Sequence, residues 1–218
     1  MGDRQPLRLS ARRHPAARLY RGRAPVVAIP CQGLDTIVVR PCFHGGFWGI
    51  LTQDIYLSSS RARREIIRSQ WLQDRKIPTP SILAVLFYPA GPGLRIDVVT
   101  AAIPNSMDFV SFLSSSPSAA DRKGALGAIR SLFSRLHHHG IVHPDLNARN
   151  ILLSRRPRSP WQAWVLDVDA IRIEEAGHAK VDQSNRHRLL RSLLKRARRG
   201  DLGLPASAVP ALWRELFP

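Results

Sequence analysis

Residues 136–153 read Leu-His-His-His-Gly-Ile-Val-His-Pro-Asp-Leu-Asn-Ala-Arg-Asn-Ile-Leu-Leu, and the fold is decided there. The stretch holds His143, Asp145 and Asn150 in the order H-x-D-x-x-x-x-N. An aspartate followed five residues later by an asparagine, across a tight loop, is a pattern with a chemical use. The carboxylate reaches an attacking hydroxyl, while the amide oxygen reaches a phosphate-bound metal ion. The apolar triplet Ile151-Leu152-Leu153 is expected to anchor the loop in the core as a strand. Downstream, Trp164-Val165-Leu166-Asp167-Val168-Asp169 reads as an apolar strand that ends in aspartate. Such a strand delivers a carboxylate to Mg²⁺, which prefers hard oxygen ligands and keeps several waters, so Asn150, Asp167 and nucleotide phosphates suffice to hold it.

Outward from the loop, the chain changes character once. Before it, a long helix is expected over Asp121 to His138, a Ser/Pro linker over Ser114 to Ala119, and a polar helix start over Met107 to Leu113. Pro104 and Asn105 mark the change. The part before them is rich in Val, Ile and Thr. Ala24 to Ile29, Thr36 to Val39, Ser81 to Tyr88 and Arg95 to Ala101 read as antiparallel strands, separated by turns at 32–35 and 89–93. Arg61 to Arg75 has helical spacing, with Ile66, Ile67, Gln70, Trp71 and Leu72 on one face and Pro78 and Pro80 as stops. The expected fold class is α+β in two lobes. Residues 1–18 form a loose basic arm, 19–103 a β-rich first lobe with one helix, and 104–218 a reduced α-helical second lobe.

Thirty-three Lys+Arg against sixteen Asp+Glu give a formal net charge of +17 in 218 residues. That excess attracts polyanions, whether an anionic membrane surface, a phosphorylated substrate or nucleic acid. No run approaches the ~18–20 apolar residues that span a bilayer, and the arginine-rich start lacks the apolar core of a secretory signal. A cytoplasmic protein with peripheral membrane contact is therefore expected. The two cysteines, Cys31 and Cys42, are too few for a disulfide framework and read as buried thiols in a reducing compartment, with a pair across adjacent strands as the alternative. His137, His138 and His139 are consecutive on a helix and point in different directions, which does not suit zinc. His143 instead reads as a support for the loop backbone. The basic helix from Arg186 to Arg199 admits three readings: a solvated amphipathic helix, a contact with anionic lipid, or a nucleic-acid surface.

The loop is similar to the catalytic loop of protein kinases. More narrowly, the chain resembles the 3-deoxy-D-manno-octulosonic acid (Kdo) kinase and lipopolysaccharide core heptose kinase families, and the Kdo kinases more closely. The resemblance rests on Asp145-Leu146-Asn147-Ala148-Arg149-Asn150-Ile151-Leu152-Leu153, on Asp167-Val168-Asp169, and on the segment Asn185 to Lys195 with Leu189, Arg191, Ser192 and Leu193. It covers roughly residues 20 to 196. Pro144, Val168, Ala170 and Ile171 depart from the family pattern without removing a group the reaction needs.

The resemblance implies a protein-kinase-like fold and an ATP- and Mg²⁺-dependent kinase of a Kdo hydroxyl on a lipid A precursor. Such an enzyme would act at the cytoplasmic face of the inner membrane, with no nucleic-acid partner. Asp145 would be the catalytic base, and Asn150 and Asp167 the metal ligands. Arg21-Gly22-Arg23-Ala24 resembles the family's phosphate turn, which assigns Gly22 and Arg23 to nucleotide binding. Arg40 stands where kinases place a phosphate-binding lysine, and Glu65 matches the helix glutamate that orients that cation; the plainer reading of Arg40 and Glu65 is a surface ion pair. Gly45-Gly46 reads as a strand-to-helix turn or as part of an acceptor site. A kinase of a heptose, protein or small-molecule hydroxyl, and an inactive kinase-like domain binding membrane or nucleic acid, are the alternatives.

Overall fold

The structure, a computed structural model, describes residues 5–20, 26–42 and 55–218. The β-branched runs of the first part pair as the spacing predicts. Strands β1 (Arg18–Tyr20), β2 (Val26–Cys31), β3 (Leu34–Pro41), β4 (Ile82–Ala90) and β5 (Gly93–Ala101) form one antiparallel sheet in the order β1-β2-β3-β5-β4. Alternation along the strands puts Val27, Ile37, Val39 and Val99 into one small core, and Ile96 and Val98 into another with Tyr56 and Ala62.

Helix α1 (Leu7–Arg12) packs on this sheet, so residues expected to form a loose arm are tied down. Ala11 joins the core with Val27 and Val39. The Arg8 backbone N–H and Nη1 donate to the Asp97 carboxylate at 3.0 and 2.5 Å, and the Leu7 N–H donates to the Tyr88 hydroxyl at 2.9 Å. Asp97 is fully buried, and a buried carboxylate requires such a partner. A basic composition suggested solvation; one arginine with a buried counter-charge is enough to reverse it.

Helix α2 (Ser60–Asp74) forms where expected but shows a different face. Ala62, Glu65, Ser69 and Leu72 are buried, whereas Ile66 and Ile67 are 41% and 66% exposed. The polar pair is inside because each has a bond to make. Glu65 takes the Arg40 guanidinium, and Ser69 Oγ donates to the Pro80 carbonyl at 3.4 Å. Hydrophobicity alone assigned the wrong side.

The chain divides into two compact units, residues 1–70 with 80–102, and residues 71–79 with 103–218. The second unit holds β6 (Ser106–Asp108), α3 (Phe109–Ser114), α4 (Ala119–His138), β7 (Ile141–Val142), β8 (Ile151–Ser154), β9 (Gln162–Val165), β10 (Arg172–Ile173), α5 (Ala179–Arg198) and α6 (Val209–Leu216). Two small antiparallel sheets run β6-β8-β9 and β7-β10. The core gathers Phe109, Phe112, Ile129, Leu136, Leu153 and Leu193 from α3, α4, β8 and α5. The basic helix begins seven residues earlier than its charges suggested, at Ala179, where His178 Nδ1 accepts the Lys180 N–H at 3.2 Å as an N-cap. Cys31 and Cys42 are free thiols.

Candidate active site

The loop is suspended from α4 by one turn. Gly140 takes a left-handed φ of +67°, and a Cβ there would lie 2.2 Å from the Glu174 carbonyl oxygen, so only glycine fits. Its own carbonyl accepts the Glu174 N–H at 2.7 Å, which brings β10 beside β7. Strand β7 then leads straight into His143.

His143 is fully buried. Its Nε2 lies 2.8 Å from the Leu166 carbonyl, which can only accept, so Nε2 bears the proton. Nδ1 is then the acceptor for the Asp145 N–H at 3.2 Å. A second proton on Nδ1 would confront that N–H. Burial holds the imidazole pKa below the ordinary histidine value, against the opposing pull of the Leu166 carbonyl and the charges of Asp167, Asp145 and Asp169. The neutral ring thus joins the Asp145 backbone to the residue preceding Asp167. This is the loop support that the sequence suggested for it.

Asp145 and Asn150 meet across the loop. The Asp145 carbonyl accepts from Asn147 N at 2.8 Å, Asn147 Nδ2 at 3.2 Å and Asn150 Nδ2 at 2.8 Å. Asn150 Nδ2 also lies 3.5 Å from Asp145 Oδ2. Since both partners are acceptors, the amide nitrogen must face the loop, and Oδ1 is left without a hydrogen-bond partner among the described residues. The Asn150 carbonyl accepts the Leu166 N–H at 2.9 Å, so the segment bearing Asp167 is fastened to the loop. Asp167 itself is exposed, in left-handed backbone at φ 54°, ψ 52°, and its carboxylate caps nothing. Backbone in that region for a non-glycine residue is uncommon and recurs at functional sites. The Asn150 amide oxygen and the Asp167 carboxylate, both uncommitted, are hard-oxygen donors of the kind Mg²⁺ takes beside phosphate oxygens and water. Among the described residues, no group of three or more His, Cys, Asp or Glu converges as an all-protein cage.

Arg40 and Glu65, the remaining described candidates, lie in the first unit. Arg40 stands on β3 opposite Val98, and its Nη2 pairs with Glu65 Oε1 on α2. The side chains of Arg40 and Glu65 are only 23% and 5% exposed, so this is no surface ion pair. The phosphate-turn candidates Gly22 and Arg23, together with Gly45-Gly46, lie outside the described residues.

Three residues of α5 complete the site, and sequence reasoning passed over their inward role. Asn185 is buried. Its Oδ1 accepts the His143 N–H at 3.0 Å, and its Nδ2 donates to the Ile141 carbonyl at 2.7 Å. Ser192 Oγ accepts the Ala148 N–H at 3.1 Å, and Arg188 Nη1 donates to the Pro144 carbonyl. The spacing 185, 188, 192 lays them along one helix face. Polar residues at those positions, beside the buried Leu189 and Leu193, were the available signal.

Residues 26–212 match the model of the lipopolysaccharide kinase (Kdo/WaaP) family. A 3-deoxy-D-manno-octulosonic acid kinase of Vibrio parahaemolyticus is 31% identical over 168 residues, 74% of this chain and 67% of that protein. Proteins of the same description from Mannheimia succiniciproducens and Xylella fastidiosa are 31% and 30% identical, covering 82% and 84% of this chain and 75% and 71% of theirs. A Haemophilus influenzae relative, 30% identical over 68% of this chain, is matched over only 62% of its own length. Among solved structures, one described as WaaP in complex with acyl carrier protein superposes with a TM-score of 0.55 at 15% identity, over 98% of this chain and 94% of that one. At that identity the likeness concerns the fold, which is protein-kinase-like.

Proposed function

The chain belongs to the lipopolysaccharide kinase (Kdo/WaaP) family, and from that premise we propose that it transfers the γ-phosphoryl group of ATP to a Kdo hydroxyl on a lipid A precursor. The observation that carries the reading is the Asp145–Asn150 clasp. Asp145 is exposed and its backbone carbonyl is held by Asn147 and Asn150, while the Asn150 amide is turned so that its oxygen stays free.

The acceptor oxygen forms a bond to the γ-phosphorus as the bond to the bridging oxygen of ADP breaks. Asp145 orients the acceptor hydroxyl and accepts its proton late in transfer, then releases it to water. Asn150 Oδ1 and Asp167 would hold Mg²⁺, which when bound neutralises charge on the nucleotide phosphates. The Arg40 guanidinium, oriented by Glu65, is the phosphate-binding cation of the first unit, with Gly22 and Arg23 as the phosphate turn. Little else is asked of the protein, because phosphoryl transfer is driven mainly by positioning and charge stabilisation. The protein works at the cytoplasmic face of the inner membrane, where so basic a chain meets anionic lipid.

The test is phosphate transfer from radiolabelled ATP to purified Kdo–lipid A precursor by the full chain and by Asp145→Asn. Loss of a general base lowers turnover by about 10²–10⁴-fold. Because Asp145 is exposed, the variant should retain the circular dichroism of the parent. Near-normal turnover in the variant would remove Asp145 from the role of base. No transfer by the parent would reject the acceptor.

A further inference from the structure

The geometry points to Arg188 as the residue that binds the carboxylate of the acceptor sugar acid and so aims its hydroxyl at Asp145. The inference rests on the proposed function, since the carboxylate belongs to that acceptor.

Helix α5 carries many cations, most of them exposed; of its half-buried arginines, Arg186, Arg188 and Arg196, Arg188 is the one without an acid. Arg186 pairs with Asp182 at 2.7 Å and Arg196 with Asp201 at 3.4 Å. Arg188 has no carboxylate partner among the described residues; it has a single hydrogen bond, from Nη1 to the Pro144 carbonyl. Its Nε is sealed from solvent and unbonded. Nη2 also lacks a partner but is not sealed, so it is the open edge of the guanidinium.

A guanidinium cannot shed its proton, and a part-buried charge without a counter-ion is costly. The other two half-buried arginines of the helix each have an acid. This one is held by a neutral carbonyl, one peptide unit from the proposed base, with an N–H directed outward. Asn185 and Ser192 already fasten the loop from the same helix face, so backbone support alone does not call for a third, charged residue. Charge-assisted bonds from arginine to carboxylate are strong and directional. An octulosonic acid carries its carboxylate on the same small ring system as its hydroxyls. The contact at Pro144 puts Arg188 one peptide unit from Asp145, the group proposed to meet the acceptor hydroxyl. An acceptor carboxylate is therefore a better match than the nucleotide's phosphoryl oxygens, which share the same anionic chemistry.

Steady-state kinetics of the full chain, Arg188→Gln and Arg188→Lys separate the possibilities, with two acceptors: Kdo–lipid A precursor and the same molecule with its Kdo carboxylate converted to the methyl ester. In the parent, esterification should raise the acceptor KM roughly 10–100-fold, the loss of one charged hydrogen bond. Arg188→Gln should show that same rise with the free acid and no further rise with the ester. Its ATP KM should stay unchanged, and any fall in kcat should accompany the rise in acceptor KM rather than replace it, because an amide can still donate to the Pro144 carbonyl. Arg188→Lys should recover most of the parent's acceptor KM and its preference for the acid.

Retention of the full acid-over-ester preference in Arg188→Gln overturns the inference. So does a defect confined to kcat, which marks a prop for the loop, or to the ATP KM, which marks a phosphate contact. Should the glutamine variant not fold, Arg188→Met, which keeps the aliphatic stem and removes the charge, is read by the same outcomes. A parent inactive on either acceptor rejects the proposed function and this inference together, whereas an active parent indifferent to the ester rejects the inference alone.

Discussion

At the scale of single residues, the candidate site divides into groups proposed to do chemistry and groups that hold them. Asp145, Asn150 and Asp167 were singled out in the sequence because phosphoryl transfer would fix their types and their spacing. Asp167 offers the cleanest check. It is exposed and caps nothing, so Asp167→Ala should fold as the parent does. Mg·ATP at one hundred times its dissociation constant stabilises a protein by about 2.7 kcal/mol. That gain in melting temperature should appear in the parent and vanish in the variant, and an undiminished shift in Asp167→Ala would remove it from the metal. Asn185 was not legible as a clasp. An asparagine inside a helix has no local signature, and its worth comes from two buried backbone groups more than forty residues earlier in the chain. Arg188 was hidden for the opposite reason, as one cation among many.

At the scale of elements, periodicity located every long helix but did not always choose its face. Helix α2 buries Glu65 and Ser69 and exposes Ile66 and Ile67, because hydrogen-bonding obligations outranked hydrophobicity at those positions. The turn from α4 to β7 was easier to foresee, since a glycine after a run of helix-end histidines is a stop signal. What the sequence could not show was how closely the Glu174 backbone approaches it. Gly140→Ala would combine left-handed strain with a Cβ set against a carbonyl oxygen. The expected loss is about 2–4 kcal/mol of unfolding free energy by urea titration, with turnover reduced because the displaced turn carries His143. A loss below about 0.5 kcal/mol would show that the turn relaxes without cost.

At the scale of the whole molecule, charge is the dominant property. A formal net charge of +17 and no described helix long and apolar enough to cross a bilayer suit a chain that meets membranes electrostatically. Vesicles containing a third phosphatidylglycerol should sediment the protein at low ionic strength. The bound fraction should fall several-fold as salt is raised to ~1 M, where the Debye length shrinks to about 3 Å. Vesicles of phosphatidylcholine alone should leave it in the supernatant; equal sedimentation with both would make the contact apolar. Composition gives the charge but misjudged residues 7–12. Residues 7–12 are as basic as a solvated tail, yet Arg8 is inside, because Asp97 on β5 is there to receive it.

The sealed imidazole of His143 has a practical consequence. A ring nitrogen whose proton is fixed by a backbone oxygen and closed off from water exchanges that proton slowly. It should therefore give a separate downfield resonance in nitrogen-edited spectra, without substrate and without an assay. That one signal would follow the integrity of the loop through titration, heating or mutation, and its collapse in an Asn185→Ala sample would record the loosening before any product is counted.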